Sequence, residues 1–310
     1  MRVYRGLSEV QGHLKGCVVT IGNFDGVHLG HRALFQRVLE KAESLKAPSV
    51  VLTFDQHPGR VLRPEQGRGQ KLFSLEDMEQ QLEKLGITHL IVESFTSEFA
   101  RIEAKDFVDK YLWAGLRPTA MIVGHDFSFG RDRKGNYDLL EARGRELGFQ
   151  TERLEPILLR GNVVSSTLIR ERIRSGDVEG AQEFLGRFYH VEGDVDSGEG
   201  RGRKLGFPTV NLNLRSEILP ADGVYVTELE WQGKRYPSVT NVGKKPTVHE
   251  NFKRTVESHI LGTAPEISRG GLIRVFFLKR LRPELKFPSA HELIKQIGVD
   301  VESAKKFFGE

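Results

Sequence analysis

The sequence predicts an α/β domain with a parallel sheet in residues 1–186, followed by a six-stranded antiparallel β-barrel with a C-terminal helix in residues 187–310. Three observations predict this fold class. Residues 17–21 are an apolar run typical of a buried parallel strand, and a glycine-rich turn and a helical stripe follow it. Further apolar runs then alternate with helical stripes. Beyond residue 188 the pattern changes to six short segments between glycine and proline turns, which indicates a barrel or sandwich.

The composition is that of a soluble globular protein. The formal net charge is +4 with both signs interspersed, which suits phosphorylated ligands but provides no basic stripe for nucleic acid. No apolar run approaches the roughly 20 residues that span a bilayer, and residues 1–15 lack a signal-peptide core. We therefore expect a cytoplasmic protein that binds neither nucleic acid nor membranes; weak self-association stays open. The single cysteine, Cys17, is expected to be a buried small hydrophobe.

The stretch from Gly22 to His31 joins the first strand to a helix predicted over residues 30–44. A strand, a glycine-rich turn and a helix in succession form the place where α/β sheets bind phosphates. The turn has neither the ending of a Walker A loop nor the glycine spacing of a dinucleotide fingerprint. His28 and His31 are three residues apart, so both imidazoles can face one side of a helix N-terminus that favours an anion.

The next elements follow from their patterns. A second strand is predicted over residues 49–54, and a strand, helix and strand of this length imply a right-handed parallel crossover. Ser74 is expected to cap the following helix, with Asp77 three residues later. The remaining predicted elements of this half are a helix over 74–85, a strand over 88–92, a helix over 104–112, a strand over 120–123 and a helix over 136–147.

Polar loops follow two of these strands. Asp55-Gln56-His57-Pro58 comes after the second strand, and Gly124-His125-Asp126-Phe127-Ser128-Phe129-Gly130 comes after the fourth. Because ligands of open α/β sheets bind at the carboxyl ends of the strands, both loops are candidates for ligand binding. An ordinary proline turn is equally compatible with the pattern at His57. For the two phenylalanines a core position is the alternative to stacking on a flat ring.

Residues 163–170 pass from apolar residues to small hydroxyls and then to a helix predicted over 167–175, with Ser165 or Ser166 as its N-cap. The hydroxyls, the first helical N–H groups and the Arg170 guanidinium can bind a phosphate. A well-capped helix without a ligand is the alternative. Residues 176–186 are predicted to form a short helical linker.

The second half contains a glycine-rich basic loop that ends in Pro-Thr-x-Asn. Its glycines and lysine, at Gly202, Lys204 and Gly206, can wrap ATP phosphates with backbone N–H groups and a positive charge. Thr209 and Asn211 lie two residues apart on a predicted strand, so their oxygens face one side and can hold Mg²⁺ together with phosphate oxygens. A barrel turn with a structural Thr/Asn pair is the alternative. The predicted strands are 189–195, 210–214, 223–231, 234–242, 254–261 and 271–277, and the last helix is 289–308.

The string Gly22-Asn23-Phe24-Asp25-Gly26-Val27-His28-Leu29-Gly30-His31 resembles the H-x-G-H signature of nucleotidylyltransferases, and at full length resembles the bacterial bifunctional riboflavin kinase/FAD synthetases. The resemblance covers about residues 15–309. It implies a Rossmann-like nucleotidylyltransferase domain in which His28 and His31 stabilise charge as the α-phosphate of ATP is attacked. The residues that it assigns to ATP in this domain are Gly22, Asn23, Phe24, Asp25, His28, His31, Ser166, Thr167 and Arg170. Those that it assigns to the flavin are His57, Asp126, Phe127 and Phe129.

In the second half, Gly206-Phe207-Pro208-Thr209-Val210-Asn211 resembles the Gly-x-Pro-Thr-Ala-Asn signature of riboflavin kinases, with Val210 in place of alanine. Glu257-Ser258-His259 resembles a Glu-x-His motif whose glutamate takes the proton from the ribityl 5′-hydroxyl. Arg282 is then a candidate flavin-loop residue. The resemblance implies that the barrel phosphorylates riboflavin to FMN and that the first domain adenylylates FMN to FAD, releasing pyrophosphate. Both reactions would use ATP and Mg²⁺.

One segment departs from the family. Where the family continues with an acidic-aromatic pair and a tyrosine, residues 262–271 of this chain are Gly-Thr-Ala-Pro-Glu-Ile-Ser-Arg-Gly-Gly. The alternative function is therefore an FMN adenylyltransferase with an inactive, kinase-like flavin-binding module. The sequence also leaves open a nucleic-acid-binding protein with a borrowed fold, and an enzyme that adenylylates a different phosphate such as phosphopantetheine.

Overall fold

The computed structural model describes residues 1–10, 14–62, 69–196, 202, 205–245 and 253–309. Lys204, which the sequence predicts in the ATP-binding loop, lies outside these residues. The chain divides into two compact units, residues 1–165 and 166–310, which we name the N-terminal unit and the C-terminal unit.

The N-terminal unit alternates strands and helices. Its strands are β1 (Arg2–Tyr4), β2 (Val18–Ile21), β3 (Ser49–Phe54), β4 (His89–Glu93), β5 (Ala120–Gly124), β6 (Gln150–Leu154), β7 (Leu158–Leu159) and β8 (Asn162–Val163). Its helices are α1 (Leu29–Leu45), α2 (Pro58–Leu62), α3 (Leu75–Leu85), α4 (Ala104–Asp106), α5 (Ala114–Leu116) and α6 (Tyr137–Leu147). A π-helix covers Phe107–Trp113, and 3₁₀ turns cover Leu7–Val10, Phe99–Arg101 and Arg131–Arg133.

The six-stranded sheet of this unit has the order β1-β4-β3-β2-β5-β6, and every neighbouring pair is parallel. The predicted parallel α/β fold is confirmed. Apolar side chains from alternate positions of β2 fill two cores, Val19 and Ile21 on one face and Val18 on the other. Cys17 is fully buried, as expected, and burial raises the pKa of its thiol to about 12.

Local signals place most helices where the sequence predicts them. Ser74 accepts a hydrogen bond from the Asp77 N–H at the start of α3, and Asn136 caps α6 in the same way through the Leu139 N–H. The helix predicted over 104–112 differs, because it is a π-helix from Phe107 onward. There the Tyr111 hydroxyl donates to Glu93 and the Tyr111 ring stacks on Phe107.

The C-terminal unit is a closed barrel with three helices in its described part. The helices are α7 (Ser166–Ser175), α8 (Val178–Leu185) and α9 (Ala290–Phe308). The strands are β9 (Tyr189–Asp196), β10 (Val210–Leu214), β11 (Gly223–Trp231), β12 (Lys234–Lys245), β13 (Lys253–Ile260) and β14 (Leu272–Pro283). They close in the antiparallel order β10-β13-β12-β11-β14-β9, which confirms the predicted barrel.

Helix α8 is more than the predicted linker. Val178, Ala181, Phe184 and Leu185 are fully buried, and the helix packs on β9 and β14. At the other end, Ser289 caps α9 by accepting the Glu292 N–H. Helix α9 covers the outside of β11 and β12, where Val301 and Ala304 pack with apolar residues of those strands.

Hydroxyl groups line part of the barrel interior. Thr227 lies within hydrogen-bond distance of Ser238 and Thr240, and the Thr240 Oγ1 to Ser258 Oγ distance is 2.7 Å. All four residues are fully buried. Because each hydroxyl satisfies another, the polar interior costs little, whereas the loss of one member leaves a buried group without its partner.

We expect Thr240→Val to lower the free energy of unfolding of the C-terminal unit by about 1–3 kcal/mol, because the Ser258 hydroxyl loses its partner. Urea unfolding followed by Trp231 fluorescence in a Trp113→Phe background measures this. Thr263→Val, at an exposed position of the same unit, is the matched control and is expected to change stability by less than about 0.5 kcal/mol. Equal effects of the two variants would contradict the role of the network.

Candidate active sites

A crevice opens at the carboxyl ends of β2 and β5. The two strands pair only at Val18 with Ala120 and at Val19 with Met121, so they diverge over the last two residues of β2. The strand order also reverses here, since β3 and β4 lie to one side of β2 and β5 and β6 to the other. Ligands of open α/β sheets bind at such a point, and the predicted phosphate turn follows β2 directly.

Two residues of the turn adopt the left-handed backbone conformation. Phe24 and Val27 both have φ of 45°, which is unusual for an aromatic residue and more so for a β-branched one. Both are buried, and the Phe24 ring lies so close to Gly22 that a Cβ there would be 2.8 Å from it. The turn therefore needs glycine at 22, and burial of the two side chains offsets the backbone strain.

His28 caps α1 and is oriented by that role. Its Nδ1 accepts a hydrogen bond from the His31 N–H at 3.3 Å. Nδ1 therefore carries no proton, and the neutral ring presents an N–H at Nε2. Gly30 makes room for the imidazole, because a Cβ at this position would lie 3.2 Å from Cε1 of His28. The same Cβ would lie 3.5 Å from the carbonyl oxygen of Val164, two residues before Ser166 in the chain.

His31 stacks on His28 with ring centroids 3.5 Å apart and planes at 19°. Burial lowers the pKa of His31 well below its ordinary value, and the neighbouring His28 lowers it further. Both histidines can thus donate N–H groups without a full positive charge. Within the described residues, His31 Nδ1 and Thr20 Oγ1 are buried without a hydrogen-bond partner. Other buried nitrogens of the described residues, such as Arg172 Nε, share this property, so it is the position of His31 beside His28 at the helix N-terminus that favours a ligand-binding role.

Asn23, Asp25 and His57 line one small pocket of the N-terminal unit, together with Lys71 and Asp77. The structure thus brings together residues that the sequence predicts in separate motifs. Both Asp25 oxygens accept the Leu72 N–H, at 2.9 and 3.1 Å, and His57 Nδ1 accepts the Gly59 N–H at 3.0 Å. Asp25 therefore shapes the turn as well as lining the pocket.

In the loop after β5, the two phenylalanines that were predicted to bind the flavin have different environments. Phe129 is buried, packs on Phe107, and needs glycine at 135, where a Cβ would lie 2.6 Å from its ring. Phe127 is half-buried and stacks on Phe129 with centroids 5.2 Å apart. Asp126 is exposed. Phe129 thus lies in a core position, where it supports Phe127.

Ser166, Thr167 and Arg170 occupy the first turns of α7, at the start of the C-terminal unit. Ser166 is the first residue of the helix, and so its place at the helix N-terminus agrees with the predicted capping region. The first helical N–H groups are available to an anion at such a terminus.

In the barrel, strand register aligns a row of polar residues that we name the polar row. Asp196 is opposite Asn211, Asn211 is opposite Glu257, and Glu257 is opposite Asn241. Directly opposite residues of antiparallel strands project to the same face. Their neighbours Leu212, Ser258 and Thr240 are buried, so the polar row lies on the outer face of the barrel.

In the described part of the glycine loop, Gly202 lies against Thr209. The Gly202 carbonyl accepts the Leu205 and Phe207 N–H groups, and a Cβ on Gly202 would lie 3.1 Å from Thr209 Oγ1. His259 contacts the same loop, since its Nδ1 lies 2.8 Å from the Pro208 carbonyl oxygen. The loop, Thr209 and the polar row therefore adjoin, and hydroxyl, amide and carboxylate oxygens of this kind fit a magnesium ion.

Three residues near this site were missed by the sequence reasoning. They are Asp196, Asn241 and Glu284. Asn241 could have been found by strand alternation, since it shares a strand face with Gly243. A Cβ on Gly243 would lie 2.5 Å from Glu284 Oε1 and 3.1 Å from Asn241 Nδ2, so the three residues are neighbours. Burial raises the pKa of Glu284, and the neighbouring Asp222 raises it further. No sequence pattern indicates Glu284, because a loop brings it over the strand.

The segment that departs from the family has a structural role. Gly271 lies under Trp231, since a Cβ there would be 2.2 Å from the indole ring. The Gly270 N–H donates to the Val195 carbonyl, and the Gly271 carbonyl accepts the Val195 N–H. The end of the segment thus extends the pairing of β9 beside Asp196. Close approach of Trp231 requires glycine at 271, whereas Gly270 adopts a positive φ of 76°.

A parallel sheet with two stacked histidines in the turn after β2, joined in one chain to a barrel with a row of oxygen-bearing side chains, is the organisation of an ATP-dependent transferase with two domains. Family models support this: the FAD synthetase model matches residues 10–168 and the riboflavin kinase model matches residues 185–308. The chain belongs to the bifunctional riboflavin kinase/FMN adenylyltransferase family.

Curated relatives share this organisation over their full length. The bifunctional riboflavin kinase/FMN adenylyltransferase of Haemophilus influenzae is 36% identical, with 99% of each chain covered. The Escherichia coli K12 relative is 34% identical over 100% of this chain and 98% of its own, and the Bacillus subtilis relative is 35% identical over 94% and 92%. These matches support two activities and not the alternative of an inactive kinase-like module.

A solved structure has the same fold. A crystal structure described as a macrolide-efflux protein from Streptococcus pneumoniae superposes with a TM-score of 0.89 at 30% identity and covers 98% of both chains. That description is of the Streptococcus protein. In the described part of the present chain, no helix is both long and apolar enough to cross a membrane.

We expect Gly30→Ala to lower the turnover of FMN adenylylation by about tenfold or more, because the added Cβ displaces the His28 ring. Helix stability should not fall, since alanine favours a helix by up to about 1 kcal/mol over glycine. FAD formation from FMN and thermal unfolding measure the two effects. Gly298→Ala in α9, where a Cβ meets nothing within 4 Å, is the control and should leave adenylylation unchanged. Full activity of Gly30→Ala would show that the ring position is not critical.

Acid should destabilise the N-terminal unit through His31. Its folded pKa lies below the value of the unfolded chain, so the unfolded state binds the proton first. The stabilising contribution is complete above about pH 6.5 and is lost as the pH falls toward the folded pKa, by at most about 1.4 kcal/mol per pH unit. Urea unfolding followed by Trp113 in a Trp231→Phe background should show a smaller loss between pH 7.5 and 5.5 for His31→Gln than for the wild type. His291→Gln, exposed in α9, should behave as the wild type does.

Proposed function

We propose that the outer face of the barrel transfers the γ-phosphoryl group of ATP to the 5′-hydroxyl of riboflavin, giving FMN. The observation that carries this proposal is the direct cross-strand pairing of Asn211 with Glu257, beside Thr209 and the glycine loop. Glu257 takes the hydroxyl proton as the oxygen attacks the γ-phosphorus, and ADP leaves. Thr209 and Asn211 would hold Mg²⁺, which supplies charge neutralisation on the triphosphate when bound. Gly202, Lys204 and Gly206 bind the phosphates.

The second reaction takes place in the crevice after β2. A phosphate oxygen of FMN attacks the α-phosphorus of ATP, a P–O bond forms, and the bond to pyrophosphate breaks. This reaction needs alignment and charge stabilisation but no nucleophilic side chain. His28 and His31 donate ring N–H groups to the oxygens that gain charge, and neutral imidazoles serve as donors at neutral pH. Ser166, Thr167 and Arg170 bind the phosphates at the α7 N-terminus.

The remaining predicted residues bind the substrates. Gly22, Asn23, Phe24 and Asp25 form the wall of the ATP site, with Gly22 and Phe24 acting through the backbone shape of the turn. His57, Asp126 and Phe127 bind FMN. Phe127 offers an apolar face, and Phe129 acts indirectly as the core residue that supports it. Arg282 serves the riboflavin site of the barrel. These assignments rest on the family resemblance together with the contacts described above.

We further propose that the functional domains are residues 1–186 and 187–310. The family models, which end at residue 168 and begin at residue 185, support this division. The structural units divide earlier, at Ser165, because α8 packs on the barrel. We propose that the protein acts in the cytoplasm on flavins and ATP, without nucleic acid or membrane partners, and weak self-association is left to measurement.

Product chromatography tests both reactions. Purified protein with MgATP and riboflavin should give FMN and then FAD, and with FMN alone should give FAD. Glu257→Gln should lower FMN formation by about 100-fold or more but leave the conversion of FMN to FAD intact. Glu266→Gln, an exposed glutamate of the same unit, is the matched control. If Glu257→Gln retains kinase activity, the base is another group; if neither flavin is consumed by the wild type, the proposed function is wrong.

A further inference from the structure

Arg282 extends the polar row at its far end. Val224 is opposite Asn241 on one side and opposite Arg282 on the other. By the same rule of cross-strand pairing, the Arg282 side chain projects from the outer face of the barrel, the face that carries Asn241 and Glu257. Helix α9 packs on this face at Val224. Arg282 therefore lies between the polar row and α9.

Asp300 of α9 fixes the Arg282 guanidinium. The distances are 2.7 Å from Nη2 to Oδ2 and 3.0 Å from Nε to Oδ1, the two-point geometry of a strong arginine–carboxylate pair. Asp300 is only 4% exposed, and its Oδ1 also accepts a hydrogen bond from Gln296 Nε2 at 3.0 Å. The carboxylate is held by its own helix, so the guanidinium has little freedom to move.

The held guanidinium in turn contacts the last residue of β14 and the end of the segment that follows. Arg282 Nη1 donates to the Pro283 carbonyl at 3.1 Å, and its guanidinium carbon lies 5.8 Å from the Phe287 ring centroid. Pro283 is the last residue of β14, and residues 284–287 after it have no regular secondary structure. Residues 283–286 are exposed. Among the described contacts, Arg282 thus holds a segment that has no strand hydrogen bonds to fix it.

We propose that Asp300 is a positioning residue for riboflavin phosphorylation. By holding Arg282, it fixes residues 283–287 as a wall of the riboflavin site beside the polar row. This inference rests on the proposed kinase function and on the place of Arg282 in the flavin site. A flat ring with polar edges is bound by a preformed wall more tightly than by a mobile segment, because the ordering entropy is then already lost before binding. Asp300 itself touches neither riboflavin nor ATP.

The test compares Asp300→Asn with Glu302→Gln in the full-length protein. Glu302 lies on the same helix but is exposed and pairs only with Lys305 among the contacts described. Asp300→Asn removes the charge with little change in shape. We expect the KM for riboflavin and its dissociation constant, measured by flavin fluorescence, to rise by about tenfold or more, as is typical of residues that orient a binding group. We expect kcat and the KM for ATP to stay within about threefold, since the guanidinium does not act on the phosphates.

FMN adenylylation by the same molecules is the internal control for the amount of folded protein. A fall in kcat and in both substrate affinities together, with a lower melting temperature, would show a purely structural role and overturn the inference. Unchanged riboflavin affinity would overturn it as well. Absence of riboflavin phosphorylation in the wild type would instead refute the proposed function.

A second variant keeps the test valid if loss of the buried charge unfolds the barrel. Phe287→Leu removes the ring that faces the guanidinium but leaves the Arg282–Asp300 pair intact. It is expected to weaken riboflavin binding without lowering the melting temperature, because Phe287 ends the exposed segment. Riboflavin binding at wild-type strength in Phe287→Leu would show that the segment does not form the wall of the site.

Discussion

The N-terminal site depends on the backbone of one turn, in which two bulky residues adopt the left-handed conformation. Each such residue costs about 1–3 kcal/mol, and here the cost is offset by burial of the Phe24 and Val27 side chains. The Phe24 ring packs over Gly22 and edge-on to both Phe35 and His31. This arrangement ends β2, starts α1, and places His28 at the helix cap. The orientation of the imidazoles follows from the strained turn.

In the barrel, strand register rather than a strained turn positions the candidate site residues. Its described interior contains apolar side chains and a network of buried hydroxyl groups. On the outer face, register alone sets Asn211, Glu257 and Asn241 side by side, because a shift of one residue would turn all of them inward. Strand pairing therefore fixes the positions of the polar row as well as those of the core residues. Arg282 and its partner Asp300 continue the row to α9.

The two units are suited to different electrostatic tasks. In the proposed adenylyl transfer, the crevice would offer neutral donors and helix N–H groups to stabilise charge that develops on phosphate oxygens. The barrel offers a carboxylate next to neutral oxygens, which is suited to removing a proton near a cation. Division of the two reactions between separate folds lets each site keep its own set of charges. A single site would need a negatively charged proton acceptor and hydrogen-bond donors for phosphate oxygens in the same place.

Much of this protein could be predicted from the sequence, because periodicity and caps are local properties. The apolar run of β2, the stripe of α1, the caps Ser74 and Ser289, and the turns of the barrel all act within a few residues. The motifs around His28 and Glu257 also name the family, which the comparisons confirm. The edge strands β1 and β6 escaped prediction, since Arg2–Tyr4 and Gln150–Leu154 are short and polar, and only their neighbours in the sheet make them strands.

Residue types at short spacing were enough to establish the fold class, the family and the positions of the chemical motifs. Which residues meet was settled by tertiary packing. That packing placed Phe129 in the core behind Phe127, brought Glu284 over Gly243, and paired Arg282 with Asp300 eighteen residues away. It also accounts for Gly271 at the end of the departing segment, because Trp231 lies over it. Such contacts join distant parts of the chain, and no local pattern can encode them, because their geometry exists only once strands pair and helices pack.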